Sequence, residues 1–324
     1  MGQGAVDRAR THAGAAGAIT RDGLAAAQAP GLLAALFDLS RGRQALLNIV
    51  QPGIGAVLAV GGLPGWREVG IGLVASWAGF FAVFSLNDVL DYKVDAESLR
   101  AGKDVTEGYD VDTAFQRHPL AHGTVSLRLS VLWVLGLTAI AAVGAALLSP
   151  LALLFFALAV VIEVVYCALR RVTWAKTILS GLMVGCGGLA GWTAVAPLRP
   201  AALTVFALLA FWELSRNMAN DLSDLRSDSS VGIRTVATTF GPAVSARANL
   251  VAASAMLASV VFLTDNAVTM SVALGSAVWL VALPMERMVR EPTTERAARY
   301  FNRISWYPEA VLLALLMGAA LGGL

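Results

Sequence analysis

The chain has 324 residues, of which 57% are hydrophobic and only 14% charged. Soluble domains carry about 25% charged residues, so a soluble enzyme built around a large core is excluded, and the composition is that of an all-α polytopic membrane protein. A net charge of +2, with no basic cluster interleaved with aromatics, gives no nucleic-acid partner.

Residues 1 to about 40 are rich in Ala, Gly and Arg and hold one apolar patch, Leu32 to Leu39, too short to span a bilayer. They read as a polar or interfacial segment, 1–40, leading into a transmembrane domain over 41–324. No removable signal peptide opens the chain, so insertion is expected to rely on the first span. Nine spans are predicted, at about 45–63, 69–90, 125–147, 150–168, 175–195, 201–221, 243–263, 267–285 and 305–323. Pro150 and Pro200 sit near helix starts, where a missing N–H costs little. Cys167 and Cys186 fall inside apolar stretches without metal-ligand spacing and read as buried free thiols.

Charge placement orients the bundle. With a cytoplasmic N-terminus, the outer loops are Leu63–Glu68, the turn at Ser149, Ala196–Ala201 and Thr264–Ala267. Of the 24 Lys and Arg residues, only Arg67 and Arg199 fall there. That asymmetry predicts an N-in protein of the cell inner membrane.

Spans two and six each end in the same acidic word. The first is Asn87-Asp88-Val89-Leu90-Asp91-Tyr92-Lys93-Val94-Asp95, the second Asn220-Asp221-Leu222-Ser223-Asp224-Leu225-Arg226-Ser227-Asp228. Helical spacing puts Asn87, Asp91 and Asp95 on one stripe and Asn220, Asp224 and Asp228 on another. Carboxylates this close repel unless a cation lies between them, and hard oxygen ligands without His or Cys point to Mg²⁺. One such word is equally well explained as a solvated acidic helix end; two matching words favour the metal.

Other polar residues in the spans admit plainer readings. Glu163, Tyr166 and Arg170 share one face of span four, where ionisable groups face a bundle interior; Glu163 is read either as a residue that orients an acceptor hydroxyl or as half of a structural ion pair. Glu213 and Arg216, one turn apart on span six, read as a local ion pair. Pro119 between His118 and His122 disfavours a regular helix, and with it a transition-metal site. Gly185, Gly187, Gly188 and Gly191 allow close helix packing. Trp77, Trp133, Trp192, Trp212 and Trp279 read as packing or interface anchors.

The two words, with Tyr166-x-x-x-Arg170-Arg171-x-Thr173 between them, Gly191-Trp192-Thr193-Ala194-Val195, and Gly232 and Thr235 after the second, resemble the UbiA superfamily of intramembrane prenyltransferases over about residues 40 to 323. The resemblance implies helices around a central cavity whose mouth faces the cytoplasm under a loop cap. It also implies Mg²⁺-dependent transfer of a prenyl group from a (poly)prenyl diphosphate to a lipophilic acceptor, aromatic or a quinone precursor. Two Mg²⁺ ions are then expected on Asn87, Asp88, Asp91, Asp95, Asn220, Asp221, Asp224 and Asp228. Arg170, Arg171, Lys176 and Arg234, with Arg117, Arg41, Lys103 and Asn48, are expected to bind substrate. Asp91, Asp224, Tyr166 and Glu163 are the expected catalytic residues. One departure stands out: the link 96–116 is longer than usual, and His118, in Arg117-His118-Pro119-Leu120-Ala121-His122-Gly123, stands where the family has Arg. Pro52-Gly53-Ile54-Gly55 leans toward acceptors of the naphthoate type. A membrane terpene cyclase and a polyprenyl-phosphate phosphoribosyltransferase share the same ionisation step. A transporter or non-catalytic lipid binder fits less well, because both words lie at helix ends and point the same way.

Overall fold

The computed structural model describes residues 30–100 and 111–322, and every regular element among them is helical. Two short helices, α1 (Leu32–Leu39) and α2 (Gly42–Asn48), meet at Arg41 and precede α3 (Val50–Val60). The long α4 (Trp66–Arg100) and α5 (Leu127–Leu148) form one extensive pair, α6 (Pro150–Leu169) and α7 (Lys176–Thr193) a second. Next, α8 (Ala202–Ser223) runs directly into the short α9 (Leu225–Val231) and α10 (Val236–Phe240), and α11 (Pro242–Val261) returns along α8. Then α12 (Ala267–Ala277) passes through a π-helical turn, Val278–Ala282, into α13 (Leu283–Arg290), before α14 (Thr294–Ile304) and α15 (Tyr307–Gly322) end the described chain.

Sequence chemistry sets these boundaries. Ser126, Ser149, Asn266 and Thr293 each accept a backbone N–H of the helix they open, and Pro150 takes the first position of α6, where no intrahelical partner is lost. Glycine decides one approach. A Cβ on Gly191 of α7 would overlap the carbonyl of Pro52 in α3, and one on Gly55 would overlap the carbonyl of Gly188. The two backbones therefore touch, which anchors α3 to the bundle.

Among the described residues, seven helical stretches are long and apolar enough to cross a membrane. The remaining two expected spans differ from the sequence reading in identifiable ways. Residues 45–63 are divided between α2 and α3 and close at Gly61 in the left-handed region, while α8 has the length but carries Glu213, Arg216 and Asp221. From Leu32 onward the chain also joins the body of the fold: α1 packs Ala35, Leu36 and Leu39 against Leu120 and Val125.

Candidate functional site

Because α4 runs unbroken through the first word, Asp88 and Asp95 fall two turns apart on one face and Asp91 turns slightly aside. The second word is different. The helix breaks at Asp224, so Asn220 and Asp221 end α8 while Asp228 rides on α9. Backbone bonds from Asp224 to Asn220 (2.9 Å) and from Asp228 to Asp224 (2.9 Å) nevertheless carry the helical register across the break. All eight Asn and Asp residues of the two words line one cavity of about 310 Å³, within the range of a small-molecule site.

Cations meet the acids at defined points. Arg41 donates to Asn87 (3.0 Å) and approaches Asp88 (3.5 Å) and Asp112 (3.4 Å). His118 Nδ1 lies 3.2 Å from Asp95 and 4.0 Å from Asp88. Arg170 pairs with Asp91 and donates to the Leu90 carbonyl at 3.1 Å. On the second word, Lys176 stands 3.7 Å from Asp221, and Arg117 stands 3.5 Å from Asp224. Arg117 and His118 are neighbours joined at 3.2 Å, so two consecutive side chains touch both words. The words face each other across a narrow gap.

Burial and charge tune these groups. Burial pushes the Arg41 guanidinium down, but Asp112 and Asp88 more than reverse it and the group is held more strongly protonated than usual. His118 follows the same pattern: burial lowers it, and its bond to Asp95 with the charges of Asp95 and Asp88 raises it above the ordinary imidazole value. Asp228 is driven well above the usual carboxylate range by burial and by the charges of Asp221 and Asp224. Among the described residues, Arg41 (φ 45°) and His118 (φ 49°) are the non-glycine residues in the left-handed region. Both reach the first word, and such backbone strain gathers at functional sites.

A second tier of residues holds the first in place. Glu163, only 3% exposed, accepts from the Asn87 amide at 2.8 Å and from Cys167 at 3.3 Å. Lys176 donates to the Tyr166 hydroxyl at 3.0 Å and sits 4.4 Å over its ring, and Asn217 reaches the same hydroxyl at 3.4 Å. Asp38 accepts the backbone N–H groups of Ala114 (2.8 Å), Phe115 (2.7 Å) and Gln116, which pins the stretch that delivers Asp112, Arg117 and His118. Deeper in, Arg216 grips Glu213 through two bonds (2.8 and 3.1 Å), while Gln44 stands with its amide turned to donate to Asp112 and accept from Arg216.

The UbiA prenyltransferase family model matches residues 50–307. The chain belongs to the UbiA prenyltransferase family. It is an integral membrane enzyme of the prenyltransferase type. Over 320 residues it is 29% identical to the protoheme IX farnesyltransferase of Bordetella parapertussis, covering 91% of this chain and 96% of that protein. Its fold is similar to a UbiA homologue from Aeropyrum pernix (TM-score 0.69, 20% identity, 84% of this chain and 97% of that one). It is also similar to a homologue from Archaeoglobus fulgidus bound to DMAPP and Mg²⁺ (TM-score 0.65, 17% identity, 87% and 99%).

Within this UbiA enzyme, the structure gathers most of the residues singled out in the sequence. Arg41, Asn48, Arg117, Glu163, Tyr166, Arg170 and Lys176 line the cavity with the two words. Arg171 and Arg234 stand outside it. Arg171 pairs with Glu97 at 2.5 Å on the exposed surface, and Arg234 donates to the Val172 carbonyl at 3.3 Å. Lys103 lies outside the described residues. Three residues of the site carried no motif: Asp38, Gln44 and Asp112. The signal available for Asp38 was a lone acid within the apolar patch Leu32–Leu39. His118 is the other addition. Its ring nitrogen, with Asp88 and Asp95, offers three ligand atoms within 4.8 Å of one another, so the stretch around Pro119 joins the carboxylate cluster even though it forms no helix.

Proposed function

We propose that this chain transfers a prenyl group from a (poly)prenyl diphosphate to a lipophilic acceptor, aromatic or a quinone precursor, at the cavity between the two words. The observation that supports this reading is the pair Arg117–His118, one side chain on each word, which fits a single diphosphate held between them. The donor set fits Mg²⁺: the two words bring six carboxylates and two amide oxygens to the cavity, and burial together with the charges of Asp221 and Asp224 raises Asp228. Asn87, Asp88, Asp91, Asp95, Asn220, Asp221, Asp224 and Asp228 would hold two ions, which when bound neutralise the charge of a departing diphosphate.

The chain's own groups supply the rest. Arg41, Arg117, Arg170 and Lys176 clamp diphosphate oxygens with charge-assisted bonds. Glu163 fixes the Asn87 amide so that its oxygen faces Arg41 and the cavity. Tyr166, its hydroxyl held by Lys176 and Asn217, walls the reacting end. Ala75, Gly79, Ala141, Ala145, Ala152 and Ala159 form a slot of small residues lining the same cavity, suited to an isoprenoid tail and to exclusion of water from an allyl cation. Arg171 and Arg234 flank the approach from outside. The bundle is read as nine crossings with the N-terminus and the mouth on the cytoplasmic face of the inner membrane, the stretch 111–125 acting as a cap.

The curated relatives favour a second reading of the acceptor, a porphyrin rather than a naphthoate, since the one named above carries protoheme IX in its name and matches 91% of this chain. Purified protein with farnesyl diphosphate and Mg²⁺ is to be offered protoheme, a dihydroxynaphthoate, or no acceptor, with products read by mass spectrometry. A farnesylated acceptor formed with Mg²⁺ and lost with EDTA is expected. Hydrocarbon released without acceptor would replace transfer by cyclisation, and turnover untouched by EDTA would reject the metal assignment.

A further inference from the structure

A second groove lies along α13 and α14, lined by Trp279, Leu283, Arg287, Arg296, Arg299 and Arg303 among others. It is separate from the site described above: α14 turns Phe301 toward the catalytic cavity and its arginines outward. Its buried face, Ala297, Tyr300, Phe301 and Ile304, packs on α8, with the Trp212 indole donating to the Ile304 carbonyl at 2.8 Å. This registry puts the Thr294 end of α14 at the same end of the bundle as the acidic words.

Four guanidiniums line the groove with the Glu295 carboxylate, and Glu291 pairs with one of them, Arg296, so the groove keeps a net positive charge. Glu286 is engaged outside it, by Arg290. Arg299 is exposed and has no carboxylate partner among the described residues. Arg296, Arg299 and Arg303 follow one another at successive turns, a ladder about 10 Å long. At its inner end Arg303 lies 4.6 Å over the Trp279 ring and donates to the Trp279 carbonyl at 3.5 Å. That carbonyl belongs to the π-helical turn Val278–Ala282, where the looser helix leaves an acceptor available. Trp279 is 60% exposed, on a helix whose outer surface meets acyl chains. The groove thus sets a cationic ladder beside an exposed indole and Leu283.

We propose that this groove binds an anionic phospholipid, with Arg299 and Arg303 on its phosphate and Trp279 and Leu283 against its acyl chains. Basic residues scattered for topology draw anionic headgroups wherever they stand; a built groove concentrates that preference on its own arginines. The test uses the full-length protein in neutral detergent, titrated with phosphatidylglycerol or phosphatidylcholine, and native mass spectrometry to read bound lipid. Phosphatidylglycerol is retained in preference, Arg299→Gln weakens it about fivefold, and Arg299→Gln with Arg303→Gln about thirtyfold. Phosphatidylcholine is unaffected. Arg128→Gln with Arg247→Gln, which removes two exposed arginines at the same end of the bundle, leaves retention unchanged. Equal retention of the two lipids, an equal loss in that control pair, or displacement by excess inorganic phosphate would each overturn the proposal. If the double variant fails to fold, the exposed Arg299→Gln alone decides.

Discussion

Replacing Glu163 by Gln separates two roles that the cavity allows for this residue. The carboxylate accepts the Asn87 amide at 2.8 Å and is buried, so Gln can keep the bond while losing the charge. A hydrogen bond to a charged group contributes about 1.5–3 kcal/mol and a neutral one about 0.5–1.5; the difference, about 1 kcal/mol, is roughly fivefold in a rate or binding constant. Loss of a general base costs on the order of 10²–10⁴. Steady-state prenyl transfer at varied Mg²⁺ should therefore show about a fivefold fall in kcat/KM for Glu163→Gln, expressed as a higher Mg²⁺ requirement. Glu163→Ala, which strands the buried amide, should lose more, by about 1–3 kcal/mol. A hundredfold fall in kcat for Glu163→Gln with an unchanged Mg²⁺ requirement would refute the positioning role and make Glu163 the base.

Asp91→Ala and Asp224→Ala should each abolish turnover while the melting temperature in detergent stays near that of the parent, because both side chains are partly exposed to the cavity; retained activity in either would remove that residue from the metal set. Arg170→Ala should raise the KM for prenyl diphosphate strongly, whereas Arg171→Ala should change it little, since an exposed pair such as Arg171–Glu97 contributes less than about 1 kcal/mol. Gly191→Ala should lower thermal stability by about 1–3 kcal/mol or prevent folding, because α3 must move away from α7. Gly187→Ala, with nothing within 4 Å of an added Cβ, should melt like the parent.

The apolar segments and both words were legible because helical period and composition are local properties, and they delivered the helices and all eight word residues of the cavity. What escaped was contact across long separations. Asp38 meets Ala114 and its neighbours 76 or more positions away, and no local pattern ties a lone acid in a short helix to a loop. The split of the first predicted span also escaped, as apolar runs look alike whether or not the helix is interrupted at Ile49. Helical spacing set Arg170 on the face of Glu163 and Tyr166, yet both arginines were expected to bind substrate; one residue of rotation sends the first to Asp91 and the second to Glu97. His118 stood out as a departure from the family's Arg, but Pro119, by disfavouring a regular helix, argued against it as a metal ligand; a turn positions an imidazole against a carboxylate equally well.

The break at Asp224 makes the two halves of the cavity mouth mechanically unequal. The first word is carved into the C-terminal half of a single unbroken 35-residue rod, while Asp228 travels on a seven-residue helix that contributes no buried side chain and ends at a left-handed glycine. Few apolar contacts resist displacement of that piece. One jaw is an anvil and the other a finger, so give at the cavity mouth falls to α9 while α4 stays the ruler beside it.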